Sequence, residues 1–185
     1  MPRVALCGRP GAGKSTFAGL LAQELALAGA DVLTLKVGAP LYELQAVVHA
    51  MAGRPLLAGT DQDGQLLNAL GSHLRRINPN ALTEAFTQRV RQAQETCPEA
   101  VLLCDDLRAP DAEVVAGLGF FLVEVTAPDA VRRERKRKRA DVSAGDEYHP
   151  TEAPVAAARW RRVDNSGDLD GLRERAAELV KEVLS

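Results

Sequence analysis

No stretch of the 185-residue chain approaches the roughly 20 consecutive apolar residues that a membrane-spanning helix requires, so no membrane association is expected. Net charge is nearly absent too: 23 basic and 25 acidic side chains leave a formal charge of −2. A whole-molecule field that draws in nucleic acid is therefore not expected, although a local basic patch stays open. Cysteine is scarce. Cys7, Cys97 and Cys104 are odd in number and lack metal-type spacing, which argues for a reducing compartment and against a disulfide framework or a zinc site. The opening apolar run ends at Gly8, too short for a signal-peptide core, and no small-residue cleavage site follows, so a cytoplasmic protein is expected. The low hydrophobicity and high net charge of disordered chains are missing, as are repeats and low-complexity linkers. What remains is an average globular composition, 46% hydrophobic and 26% charged, in a length that suits one domain with a real core.

Short apolar runs alternate with longer helical patterns. Val4–Cys7, Asp31–Leu35, Ala100–Cys104 and Phe120–Val125 read as strands buried on both faces, where polar alternation disappears. Arg161–Asp164 reads as a short edge strand. Helices are expected over 14–28, 41–51, 65–77, 82–95, 128–139 and 169–184, with Gly29 just past the end of the first. Alternation of this kind predicts an α/β fold with a parallel sheet and right-handed crossovers. The polar stretch 140–150 reads as a mobile loop inside the domain. Phe120, Phe121 and Trp160 are most simply packing residues, and Cys7 and Cys104 small core residues.

Between the first strand and the first helix lies Gly8-Arg9-Pro10-Gly11-Ala12-Gly13-Lys14-Ser15, which matches G-x-x-x-x-G-K-[ST] at every fixed position. Glycines let backbone N–H groups turn inward as an anion nest, and the helix that follows presents its positive end to the same anion. Lys14 would reach the β- and γ-phosphates of ATP and the Ser15 hydroxyl would bind Mg²⁺. Gly8, Gly11, Ala12, Gly13, Lys14, Ser15 and Thr16 form the expected nucleotide-binding set. The bland alternative is a glycine-rich turn with a solvated lysine, but the strand before and the helix after are the context the motif requires.

Asp105 and Asp106 follow the third buried strand, at the edge of an open α/β sheet where ligands bind. One of them is expected to serve Mg²⁺ or substrate, although a turn or helix cap near Pro110 would explain both. Neighbours on a strand face opposite ways, so the two should not share one job. Arg132, Arg135 and Arg139 stand at i, i+3 and i+7 on one helix face, with Arg133, Lys136, Arg137 and Lys138 around them. They read either as a lid closing over nucleotide or as a solvated basic face. Arg75-Arg76 reads either as an exposed pair or as a clamp for an acceptor phosphate. Lys36, after the second strand, joins the substrate-binding candidates. His49, His73 and His149 could act as acid or base but are more simply structural or solvated.

Three further segments, together with the glycine loop, carry a likeness. They are Gln65–Pro79 with its leucines, Gly71 and Arg75-Arg76; Asp106-Leu107-Arg108-Ala109-Pro110-Asp111-Ala112-Glu113; and His149-Pro150-Thr151-Glu152 followed by Val163–Leu169. The chain resembles phage-type deoxynucleoside monophosphate kinases within the P-loop nucleoside monophosphate kinase group. The resemblance implies a P-loop NTPase three-layer sandwich with a five-stranded parallel sheet and an arginine-rich lid. It implies one domain over 1–185, with a helical acceptor-binding insertion over 40–97 and the lid over 128–152. It places Arg75 or Arg76 and Arg108 on the acceptor, Arg132, Arg135 and Arg139 in the lid, and Asn165 beside the nucleotide. Glu113 stands one residue later than the family pattern, and Asp61–Gly64 lacks the basic residue expected before the leucines.

The expectation is thus a Mg²⁺-dependent kinase that moves the γ-phosphoryl group of ATP to a nucleotide monophosphate or other small-molecule acceptor. Lys14, Arg132, Arg135 and Asp106 would serve the chemistry; Ser15, Asp105 and Asp106 are the metal candidates. No general base is needed for an acceptor that is already anionic. Two rivals stay open. One is a kinase acting on a hydroxyl, with Asp106 as base; the other is an ATP-dependent nucleic-acid-binding switch using the basic helix. A homodimer is left open as well.

Overall fold

The computed structural model describes residues 2–56, 62–138, 142–143, 145–146, 149–153, 155 and 160–185. Five strands alternate with seven α-helices among these residues: β1 (Arg3–Cys7), α1 (Lys14–Leu27), β2 (Val32–Thr34), α2 (Ala39–Met51), α3 (Gly64–Ile77), α4 (Ala81–Thr96), β3 (Val101–Cys104), α5 (Ala112–Gly117), β4 (Phe121–Thr126), α6 (Asp129–Lys138), β5 (Trp160–Asp164) and α7 (Leu169–Val183). Short 3₁₀ turns cover Ala109–Asp111 and Pro150–Glu152.

The strands form one sheet, all parallel, in the order β2-β3-β1-β4-β5. Successive side chains of a strand point to opposite faces, and here each face has its own helical layer. Val4, Leu6, Leu103, Val123 and Val125 pack against Phe17, Leu21 and Leu25 of α1 and Leu172, Ala176 and Leu179 of α7. Ala5, Cys7, Leu102, Cys104 and Leu122 pack against Leu82, Phe86 and Val90 of α4 and Val115 of α5. This double burial is why the strand sequences run apolar without alternating. The same rule separates the two neighbouring phenylalanines. Phe120 is buried, its ring centroid 5.5 Å from that of Phe86, whereas Phe121 turns to the opposite face and is exposed, so only one of the pair is a core residue. The side chain of Trp160 lies outside the described residues.

The crossovers put the functional loops on one edge. β1 lies between β3 and β4, so the connections leaving β1 and β3 diverge at the carboxyl edge of the sheet, which is where open α/β sheets bind ligands. Helices α2, α3 and α4 all fall between β2 and β3. No helix among the described residues is long and apolar enough to cross a membrane.

Phe86 is fully buried and joins α4 to the sheet. Phe86→Ala is expected to lower unfolding free energy by about 3–5 kcal/mol, read as a shift of the urea midpoint at unchanged slope.

Candidate active site

The glycine loop joins β1 to α1, and its three glycines are sterically required. Gly8, Gly11 and Gly13 have φ of 136°, 81° and 95°. A Cβ at Gly8 would lie 2.2 Å from Val125 O, one at Gly11 2.6 Å from Arg132 O, and one at Gly13 2.1 Å from Asn165 Nδ2. The segments around β4, α6 and β5 thus pack directly onto loop backbone. Lys14 Nζ donates to Gly8 O at 2.7 Å. Burial pushes the Lys14 ammonium down to about 8, with Arg108 adding to the effect and Glu152 and Asp106 opposing it. Ser15 and Thr16 are exposed at the start of α1.

Asp105 and Asp106 both turn toward the segment leaving β2, but in different roles. Asp105 accepts from Lys36 Nζ through both oxygens, at 2.9 and 3.2 Å. Asp106 accepts the backbone N–H of Val37 at 2.8 Å and of Gly38 at 2.9 Å. Cys104 Sγ lies 3.4 Å from Asp106 Oδ1. Burial raises the Asp106 carboxyl, and the two backbone N–H groups work against that. Neither aspartate caps the turn at Pro110. Asp106 anchors the entry to α2, and Asp105 is left as the carboxylate whose present partner is a half-exposed lysine side chain.

The basic helix points two of its arginines at the loop. Arg132, buried, donates to Pro10 O at 2.9 Å and pairs with Asp129 at 2.7 Å. Arg135 donates to Ala12 O at 3.4 Å and to Asn165 O at 3.2 Å. Asn165 Nδ2, also buried, donates to Ala12 O at 2.8 Å. Arg133, Arg137 and Lys138 are exposed. Arg139 lies outside the described residues, as does Asp61 of the expected pre-leucine segment.

A cleft of about 800 Å³ opens beside the loop. Lys14, Ser15, Thr16, Arg135 and Lys136 line it together with Lys36, Arg75, Asp105, Asp106 and Arg108. Arg75 and Arg76 part company: Arg75 lines the cleft and Arg76 is exposed. Three of these cations are matched by carboxylates. Lys36 pairs with Asp105, Arg75 with Asp111 at 2.7 Å, and Arg108 with Glu152. Asp111 was not among the expected site residues. It is buried, while Glu113, the acidic residue weighed at sequence level, is exposed. Its one sequence signal was its place five residues after Asp106. His149 Nε2 lies 3.0 Å from Ser72 Oγ and its Nδ1 2.8 Å from Thr151 Oγ1, while His49 reaches Asp63 at 3.2 Å. Asp63 caps α3, accepting from Leu66 N, and the Ser143 hydroxyl holds its carboxyl below the usual range. Burial pushes the Cys7 thiol up to about 12, which keeps it an inert core group.

Among the described residues no group of three or more His, Cys, Asp or Glu could hold a metal ion by itself. A metal shared with a bound nucleotide would instead use few protein ligands, all oxygen.

A family model described as "AAA domain" matches residues 4–163. Among solved structures, TT1252 from Thermus thermophilus is 22% identical with a TM-score of 0.59, over 100% of this chain and 98% of that one. A sugar kinase from Janibacter sp. HTCC2649 is 16% identical with a TM-score of 0.53, over 99% and 95%. The Mycobacterium tuberculosis APS kinase CysC, solved in complex with AMPPNP and APS, is 17% identical with a TM-score of 0.52, over 100% and 99%. These likenesses show the shared fold: a five-stranded parallel sheet covered by helices on both faces, as in P-loop kinases. No curated protein matches the chain.

The different roles of the two aspartates are measurable. Asp106→Ala strands two backbone N–H groups and is expected to cost about 2–5 kcal/mol of stability in urea unfolding. Asp105→Ala leaves a lysine that can rehydrate and is expected to cost under about 1 kcal/mol.

Proposed function

The chain belongs to the AAA domain family, and from that premise we propose that it is a Mg²⁺-dependent kinase moving the γ-phosphoryl group of ATP to a nucleoside or deoxynucleoside monophosphate. The observation that carries the reading is the cleft itself, lined by the glycine loop's Lys14 and by five further cationic side chains, Lys36, Arg75, Arg108, Arg135 and Lys136. Lys14, Arg135 and Lys136 suit the triphosphate. Lys36, Arg75 and Arg108 suit a second phosphate, for which arginine offers a bidentate fork.

The residues fit this division of labour. Lys14 would leave Gly8 O for the β- and γ-phosphate oxygens, and the loop N–H groups with the α1 terminus would hold the rest of the chain of phosphates. Ser15 and Asp105 offer the hard oxygen donors that Mg²⁺ takes. Bound there, Mg²⁺ would offset charge on the triphosphate. Arg135 would remain on the loop carbonyl of Ala12 and add positive charge to the same wall, while Arg132 would support the loop from behind. An oxygen of the acceptor phosphate attacks the γ-phosphorus, the bond to the β-phosphate oxygen breaks, and ADP leaves. No proton has to be removed from a phosphate that is already ionised. A hydroxyl acceptor would need a base, and Asp106 is poorly placed for that because both its oxygens receive backbone N–H groups.

A panel of acceptors with labelled ATP tests the reading. Labelled nucleoside diphosphate is expected, with Arg75→Ala raising acceptor KM well before ATP KM. Label on nucleosides, sugars or polynucleotide ends alone would replace it with a hydroxyl kinase, and hydrolysis without labelled product would replace it with a nucleotide switch.

Lys14 adds a pH signature. Burial lowers its pKa to about 8, and a bound polyphosphate favours the charged form, so binding takes up a proton above that pH. ADP affinity in calorimetry is expected to be flat below pH 8 and to fall as pH rises through it, by at most about tenfold per unit. Lys14→Met should bind weakly and without that slope.

A further inference from the structure

Gly71 is buried in the middle of α3, where a helix favours alanine most and glycine least of all residues but proline. Arg75, four residues on, explains its place. Side chains of a helix lean toward its N-terminus, so the one at 75 lies over the turn that holds 71. A Cβ at Gly71 would come 3.3 Å from Arg75 Nη1 and 3.5 Å from Leu41 Cδ1, and the first of these contacts is too tight for the guanidinium to stay where it is. The other end of the guanidinium is held by Asp111, whose Oδ2 accepts from Arg75 Nη2 at 2.7 Å. Asp111 makes no cap bond to α5, at whose start it stands, and its carboxylate is given over to Arg75. It is also the covered member of the pair, 3% exposed against 18% for the arginine side chain. Arg75 Nε is buried with no hydrogen-bond partner among the described residues, so this seat fixes the guanidinium even though it leaves one donor unmet.

We propose that Gly71 and Asp111 are positioning residues that together aim Arg75 at the phosphate of the acceptor, an inference that rests on the acceptor role given to Arg75 above. Gly71 supplies the room and Asp111 the direction. The turn that carries Asp111 makes that direction firm. Pro110 fixes one φ within Ala109–Asp111, and the Asp111 N–H donates to Arg108 O at 3.1 Å. Arg108, the second arginine offered to the acceptor, leaves from the start of the same turn. One short turn thus sets Arg108 directly and Arg75 through Asp111, and two arginines from distant parts of the chain keep a fixed separation. A forked contact to phosphate gains from geometry set in advance, because less side-chain freedom is lost on binding. Buried as it is, Asp111 cannot leave Arg75 without stranding its own charge, so it steers the guanidinium and does not compete with phosphate for it.

Two substitutions in the full chain test the seat from its two sides. Gly71→Ala improves the helix and displaces only the end of a flexible side chain, so the thermal midpoint is expected to hold or to rise by up to about 3 °C. The same variant is expected to raise the acceptor KM about tenfold and to leave the ATP KM within about twofold, measured with labelled ATP and the nucleoside monophosphate that the wild type uses best. A glycine with a purely structural role would not lose acceptor affinity while its helix holds or gains stability. Asp111→Asn keeps the shape and removes the charge, and is expected to split the two constants in the same way. In an Arg75→Ala background neither substitution should move the acceptor KM further, because the group they position is gone. An unchanged acceptor KM in Gly71→Ala, a lower one in Asp111→Asn, or an additive effect of either in the Arg75→Ala background overturns the proposal and leaves the acceptor reading standing. So does a Gly71→Ala chain that loses stability together with acceptor affinity. A wild-type chain that phosphorylates no nucleoside monophosphate, or an Arg75→Ala chain with the wild-type acceptor KM, overturns that reading and the proposal with it. Should Asp111→Asn fold poorly, Gly71→Ala decides alone.

Discussion

The molecule depends on how closely other segments approach the backbone of the loop between β1 and α1. Gly8, Gly11 and Gly13 hold positive φ, and each has another segment where a side chain would begin. Donors from other segments converge on the loop's carbonyls, Arg132 on Pro10 O and Arg135 and Asn165 on Ala12 O, while the loop's own Lys14 donates to Gly8 O. Hydrogen bonds from charged donors to buried acceptors contribute about 1.5–3 kcal/mol each. Binding the carbonyls from behind holds the loop in the curvature at which its N–H groups can serve an anion.

This arrangement changes the meaning of the basic helix. Eight of the ten residues of α6 are charged, six of them basic, and a helical pattern alone makes all of its arginines alike. In the fold they divide. Arg132 is a buried brace, tied to Asp129 and Pro10; Arg135 sits at the cleft wall; Arg133, Arg137 and Lys138 remain in solvent, the last two near Glu134. Burial sets the division, because a guanidinium removed from water must find an acceptor for its donors.

A comparable division runs through the acidic groups. Asp105 and Asp106 are adjacent, just past the end of β3, and both turn to the segment leaving β2, yet one holds a lysine side chain and the other two peptide N–H groups. In the cleft lining, Arg75 pairs with Asp111 and Arg108 with Glu152. Paired in this way, the arginines stay oriented without leaving uncompensated charge in a partly buried wall.

The parallel sheet, its two helical layers and the phosphate loop were all legible along the chain. Their signals are local: apolar runs of strand length, helical periodicity, and glycines at fixed spacing before a lysine and a serine. Boundaries moved by only a residue or two, as at β2 and at the start of α2. The rest depends on residues far apart in sequence. That Arg75 and not Arg76 enters the cleft follows from the rotation of α3, and that Asp111 and not Glu113 meets it follows from the turn after β3. That α2 buries Gln45 and leaves Val47, Val48 and Met51 exposed is invisible to periodicity, which reports that a helix has an apolar side but not which side the neighbours take. Periodicity is a property of one segment, whereas pairing and exposure are properties of the contacts between segments, and those exist only once the chain has closed on itself.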